Sequence, residues 1–181
     1  MYNKIKNIFK NETNCIICYF IVFYYKSVNN KFAGSIMEQA IFTTLCMVYD
    51  NQDQILVQER IGTAWDGIAF PGGHVEQGES FVESIIREVF EETGYQISNP
   101  ILCGVKQFQI KNDVRYVIFL YKTNQFTGNL QRSSEGNVFW IKRQHMQDYT
   151  LATDMKEMLE LFENDSMSEF YRFKDGSYKI L

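Results

Sequence analysis

The sequence predicts an α/β domain in which a mixed sheet is packed between helices, and three observations carry that prediction. Apolar, β-branched runs joined by short polar turns lie on both sides of a helix that has clear capping signals. A second stretch with apolar residues at helical spacing follows the last long strand. Strands on both sides of a central helix, followed by a second helix, imply a mixed sheet packed between helices. The third observation is bulk: 181 residues, 45% hydrophobic and 15% aromatic, suffice for one core with an appendage.

Residues 1–36 differ in composition from the rest, being dominated by Asn, Lys, Ile, Phe and Tyr around CIICYFIVFYY. That apolar run is short against the roughly 20 residues needed to span a bilayer. Three readings compete: a signal peptide or anchor, an extra structural segment, and upstream sequence of an A/T-rich genome read in frame, with Met37 as the natural start. The expected organisation is residues 1–36 as an extension, 37–165 as the main domain and 166–181 as a hairpin tail.

From Glu38 the pattern is regular. AIFTTLCMVY and QILVQER, joined by Asp50-Asn51-Gln52-Asp53, read as a β-hairpin, and IAFPGG reads as a short strand entering a glycine turn at Gly72-Gly73. Arg60, at a strand end, is a candidate phosphate contact or a surface ion pair. Ser80 and Glu83 form a capping box and Gly94 a C-terminal stop, which bound a helix between them. Within it Val82, Ile85, Ile86, Val89 and Phe90 make an apolar stripe expected to face the core. ILCGVKQFQI and VRYVIFLYK flank Lys111-Asn112-Asp113 as a second hairpin, and NVFWI is a further strand. In TLATDMKEMLELF, Leu151, Met155, Met158, Leu159 and Phe162 are expected to face inward. Two aromatic runs about Asp175-Gly176 make the tail a hairpin.

The chemistry concentrates on the first helix. At about 100° per residue, Glu88, Glu91 and Glu92 cluster at the edge of the apolar stripe. Like charges at these spacings are mildly destabilising alone, and a divalent cation reverses the sign. Oxygen ligands suit magnesium or manganese. Arg87, one turn from Glu83 and Glu91, can orient a carboxylate by a forked hydrogen bond.

This stretch resembles the signature of the Nudix hydrolases, G-x5-E-x7-R-E-U-x-E-E-x-G-U, where U is a bulky aliphatic residue. Gly73, Glu79, Arg87, Glu88, Val89, Glu91, Glu92 and Gly94 match, while Tyr95 departs from the last aliphatic slot. The resemblance covers about residues 38 to 165 and implies an α/β/α sandwich. It also implies metal-dependent hydrolysis of a diphosphate linked to another group. In that case Glu88, Glu92 and the Gly73 carbonyl would ligate Mg2+ or Mn2+, Glu91 would contribute through the same metals, and Glu79 would hold Arg87. Glu91 and Glu135 are both candidates for the base that activates water.

The MutT-like branch cleaves nucleoside triphosphates, 8-oxo-dGTP above all. Phe70 falls where that branch has an aromatic beside the base, and Asp154 stands near the place of its purine-reading asparagine, which this chain lacks. A small nucleotide is therefore the expected partner, with a non-catalytic nucleotide sensor as the alternative. His74 and His145 are taken as bystanders. A net charge of −4 offers no field for a nucleic-acid polymer. No membrane partner is expected, the expected compartment is the cytoplasm, and a homodimer is left open. Cys15, Cys18, Cys46 and Cys103 contain no second close pair for a zinc site and are expected to be reduced.

Overall fold

The computed structural model describes residues 37–60, 66–131 and 136–181. The segment 1–36, with the readings offered for it and with Cys15 and Cys18, lies outside the described residues, as does Glu135. Among the described residues, ten strands and two α-helices follow in chain order. They are β1 (Ala40–Val48), β2 (Gln54–Arg60), β3 (Gly67–Ala69), α1 (Phe81–Thr93), β4 (Tyr95–Ile97), β5 (Ile101–Gln109) and β6 (Arg115–Thr123). β7 (Phe126–Gly128), β8 (Asn137–Lys142), α2 (Met155–Glu163), β9 (Glu169–Arg172) and β10 (Tyr178–Ile180) complete the order.

The main sheet is mixed, in the order β1-β6-β5-β9-β10. β1 runs parallel to β6 and β9 parallel to β5, while β5 and β6 form the antiparallel hairpin expected from the sequence. Alternation along β1 assigns its two faces. Leu45 and Met47 join Met155, Met158, Leu161 and Phe162 of α2 in one core. Cys46 and Val48 join Ile85 and Val89 of α1 in the other. The sheet thus lies between the two helices, and this is the expected α/β/α arrangement. The residues Glu38–Leu181 form a single compact unit. None of the helices among the described residues is long and apolar enough to cross a membrane.

Three expectations need correction. The hairpin expected of β1 and β2 does not form a ladder: the two strands meet only at the Tyr49–Ile55 bridge, and β2 pairs instead with β3 and β8. The reason is that both edges of β1 are occupied. β6 takes one edge, and the glycine loop lies along the other, with Thr44 N donating to Gly73 O at 2.9 Å, Cys46 N to Pro71 O at 2.9 Å and Val75 N to Phe42 O at 3.0 Å.

Secondly, the apolar stripe of α1 is narrower than its pattern suggests. Val82 is 42% and Phe90 50% exposed, and the buried face comprises Ser84, Ile85, Val89, Glu92 and Thr93. Thirdly, α2 begins at Met155, so Leu151 lies in the loop before it, and Leu161 is buried where Leu159 is only partly so. The tail hairpin is present as β9 and β10, and it extends the main sheet through β5.

Candidate functional site

The site begins where the glycine loop lies along the edge of β1 that β6 leaves free. At Gly72 the backbone has φ +152°, and a Cβ there would stand 2.1 Å from Thr44 O. Only glycine fits so close an approach. The Gly72 peptide is held at both ends: its N–H donates to Glu92 Oε2 at 2.8 Å, and its carbonyl accepts from Arg60 Nη2 at 2.9 Å. Arg60 Nη2 also stands 3.6 Å from Glu92 Oε1. Glu92 is 2% exposed, so a carboxylate on the inner side of α1 is matched to a backbone donor and a guanidinium rather than to water. At Gly73 a Cβ would fall 2.4 Å from Glu88 Oε2, so the missing side chain is what lets the Glu88 carboxylate lie against the loop.

Arg87 gathers the remaining acids. Its Nε and Nη2 fork onto Glu79 at 3.1 and 2.7 Å, while Nη1 reaches Glu88 at 2.9 Å and Glu91 at 3.0 Å. Nη2 also donates to the His74 carbonyl at 3.1 Å, which ties the loop to the helix. The guanidinium beside Glu79 holds its carboxyl down to about 2, helped by the Glu76 backbone N–H. The same carboxylates push the Arg87 guanidinium up. The capping box at Ser80 and Glu83 starts the helix directly after Glu79, which leaves Arg87, two turns on, able to reach back to it. Glu91 is the exposed member of the set, with 57% of its side chain open to solvent.

Next to the carboxylates lies a small cleft of about 70 Å³, lined by Thr43, Thr44, Arg60, Gly73, Ala152 and Met158 among others. Arg60 is therefore at the site, bonded to the loop. Phe70 is not available to a base: it is fully buried and packs edge-on against Phe162, at 5.2 Å between ring centroids. Asp154 is also committed, since its carboxylate pairs with Lys106 at 2.8 Å and with Arg172. His74 lies edge-on to Tyr116, and His145 is exposed and pairs with Asp148. Of the four cysteines, Cys46 is buried and Cys103 partly so, and both are free thiols.

The chemistry of the donor set fits a hard divalent cation. Glu88 and Glu92 are one turn apart, Glu88 lies against Gly73, and every candidate donor is oxygen. No group of three or more such side chains is gathered as a ready cation site among the described residues. Arg87 and the Gly72 amide occupy the carboxylates instead.

The residues overlooked in the sequence are those whose role depends on pairing at a distance. Lys106 reads as an ordinary polar residue in a strand, yet it is fully buried. Arg172 lies far along the chain in what reads as a tail, and Tyr116 reads as core. Only the alternation of β5, which turns position 106 toward the α2 side with Ile118 and Phe170, could have marked Lys106.

Residues 41–162 match the NUDIX domain family. The chain is 34% identical over 110 residues to the uncharacterized Nudix hydrolase YvcI of Bacillus subtilis, across 58% of this chain and 68% of that protein. It is 36% identical over 70 residues to the Bacillus subtilis protein named "Putative 8-oxo-dGTP diphosphatase", which covers 39% of this chain and 45% of that relative. Among solved structures, the mutator MutT protein of Bacillus halodurans is similar with a TM-score of 0.63 and 27% identity, over 77% of this chain and 97% of that chain.

Proposed function

The chain belongs to the Nudix family and is a hydrolase of the MutT-like type, and from that premise we propose that it cleaves a nucleoside triphosphate to the monophosphate and pyrophosphate. 8-oxo-dGTP is the leading substrate, which would make the enzyme a sanitiser of the cytoplasmic nucleotide pool. The observation that carries the reading is the Arg87 clamp, which draws Glu79, Glu88 and Glu91 together beside the cleft. The similarity to a relative whose name gives that activity, over less than half of its length, supports the choice of substrate.

Magnesium or manganese, when bound, neutralises the phosphate oxygens and polarises the anhydride. Glu88, Glu92 and the Gly73 carbonyl would hold it, with Glu91 contributing. Arg87 keeps Glu88 and Glu91 oriented through its shared donors, and Glu79 fixes Arg87 from the other side. Arg60 pins the Gly72 peptide and, with a quarter of its side chain exposed, has donors within reach of a phosphate at the cleft. Glu91 is open to solvent and is one candidate for taking the proton of the attacking water; Glu135 is the other.

Engagement of Asp154 by two cations favours a second reading, in which the same chemistry acts on ADP-ribose or a dinucleotide polyphosphate. The test is phosphate and pyrophosphate release with magnesium and then with EDTA, across 8-oxo-dGTP, ordinary dNTPs, ADP-ribose and diadenosine polyphosphates. Magnesium-dependent pyrophosphate release from 8-oxo-dGTP, well above that from dGTP, is expected. Turnover of only another diphosphate replaces the substrate, and turnover of none favours a nucleotide-sensing domain.

A further inference from the structure

Asp154 sits at the N-cap position of α2, where an aspartate ordinarily bonds the first free amides of the helix. Here it makes no such bond. Its backbone is left-handed, with φ +63° and ψ 8°, a conformation that strains a residue other than glycine. Its carboxylate turns instead to Lys106 of β5 and Arg172 of β9. Lys106 is fully buried, with its ammonium 5.6 Å from the ring centroids of both Phe108 and Phe170. The strained turn is therefore held by two cations from the sheet.

What the turn carries is one wall of the cleft. Ala152 and Thr153 precede Asp154, Met155 follows it, and all three line the cleft together with Thr43 and Gly73. The same segment is tied to β3, with Ala152 N donating to Ile68 O at 3.0 Å and Ile68 N to Thr150 O at 2.8 Å. One end of the wall is thus fixed by backbone bonds and the other by Asp154. Arg172 comes from the hairpin beyond residues 41–162, which match the family.

We propose that Arg172 is a positioning residue for substrate selection: through Asp154 it sets the Ala152–Thr153 wall, so the C-terminal hairpin tunes which organic group the cleft accepts. The inference rests on the nucleotide pyrophosphohydrolase reading. The acids that Arg87 gathers are held by its guanidinium and lie on or just before α1, so the phosphate chemistry is set from a different part of the chain. The group accepted is the part of the substrate beyond the phosphates, and a nucleobase is the expected class.

The experiment compares the full chain with its Arg172→Ala and Arg172→Lys variants. kcat and KM are measured for 8-oxo-dGTP, dGTP and dCTP and for a substrate without a base, 5-phosphoribosyl 1-pyrophosphate. In Arg172→Ala, KM for the nucleotides should rise about fivefold or more with kcat within about twofold, the preference among bases should flatten, and Arg172→Lys should recover most of the loss. Turnover of the base-free substrate should be the same in all three proteins or absent from all three. Unchanged nucleotide KM, a fall in kcat alone, or an equal loss on the base-free substrate overturns the inference, even if thermal stability falls.

Equilibrium binding of dGMP, measured alongside, separates the two readings. If the unaltered chain hydrolyses nothing, the hydrolase reading fails. Weaker dGMP binding in Arg172→Ala, by about fivefold or more, then still supports the wall, whereas equal binding or none in either protein overturns it.

Discussion

Glu92 and Gly72 constrain each other, and the pair shows how a signature residue can be structural and chemical at once. The Glu92 carboxylate is buried and accepts from Gly72 N, so an amide of the same shape can keep that bond through its own oxygen. Glu92→Gln should therefore fold with a stability change of about 1 kcal/mol by urea titration. Turnover should fall on the order of 100-fold or more, because the hard anionic donor is gone. Near-normal turnover would remove Glu92 from the proposed metal set. Glu79 supplies a pH dependence. Its carboxyl sits at about 2 in the folded chain against an ordinary 4.5, so protons bind the unfolded state more tightly. Its stabilising contribution is complete above about 4.5 and is lost as pH falls toward about 2. The stability gap between the unaltered chain and Glu79→Gln should narrow across that window, and a gap that stays constant would mean that the Arg87 fork contributes nothing. At this scale the acids were legible because their spacing is local to one helix. Phe70 and Asp154 were not, because which way a side chain turns from a loop or strand end is decided by distant partners, here Phe162 for one and Lys106 with Arg172 for the other.

The elements divide in the same way. α1 was readable to its caps, since Ser80, Glu83 and Gly94 act within four residues of the backbone they satisfy. The pairing of β1 was not readable, because proximity in sequence suggested β2 while the available edges went to β6 and to the loop 71–75. That loop behaves as an irregular extra strand, and its fit on β1 sets the height at which Gly73 meets Glu88. Two adjacent substitutions separate fit from function. Gly72→Ala places a methyl 2.1 Å from Thr44 O at a positive φ, so several kcal/mol should be lost and the loop should lift from β1. Gly73→Ala meets only the end of a side chain, Glu88, so stability should change by about 1 kcal/mol or less while activity collapses. Urea midpoints and turnover for both variants check this, and equal destabilisation by the two would show that the loop does not rest on β1 as described.

For the whole molecule the question is whether the C-terminal hairpin belongs to the domain. Its aromatic runs about Asp175-Gly176 announced a hairpin, but nothing local said which sheet edge would receive it. The fold answers through β5: Val105 N donates to Ser168 O at 2.9 Å, β9 pairs in parallel from Val105 to Phe108, and Phe170 is fully buried in the α2 core. Ending the chain at Asp165 would remove Phe170 from that core and leave the β5 edge open. It would also leave Lys106 and Asp154 without the second cation of their cluster. Loss of one buried phenylalanine alone costs about 3–5 kcal/mol, a large share of the roughly 5–15 kcal/mol that holds a typical domain together. The truncated chain should therefore unfold at much lower urea, with exposed apolar surface and an unpaired strand that favour aggregation. Phe170→Ala should reproduce most of the stability loss without opening the edge, whereas Arg172→Ala should reproduce little of it, because that side chain is partly exposed and its pairing is screened. A truncated chain with the full urea midpoint would mean that β9 lies on the sheet without stabilising it, and the hairpin would then act only through Asp154.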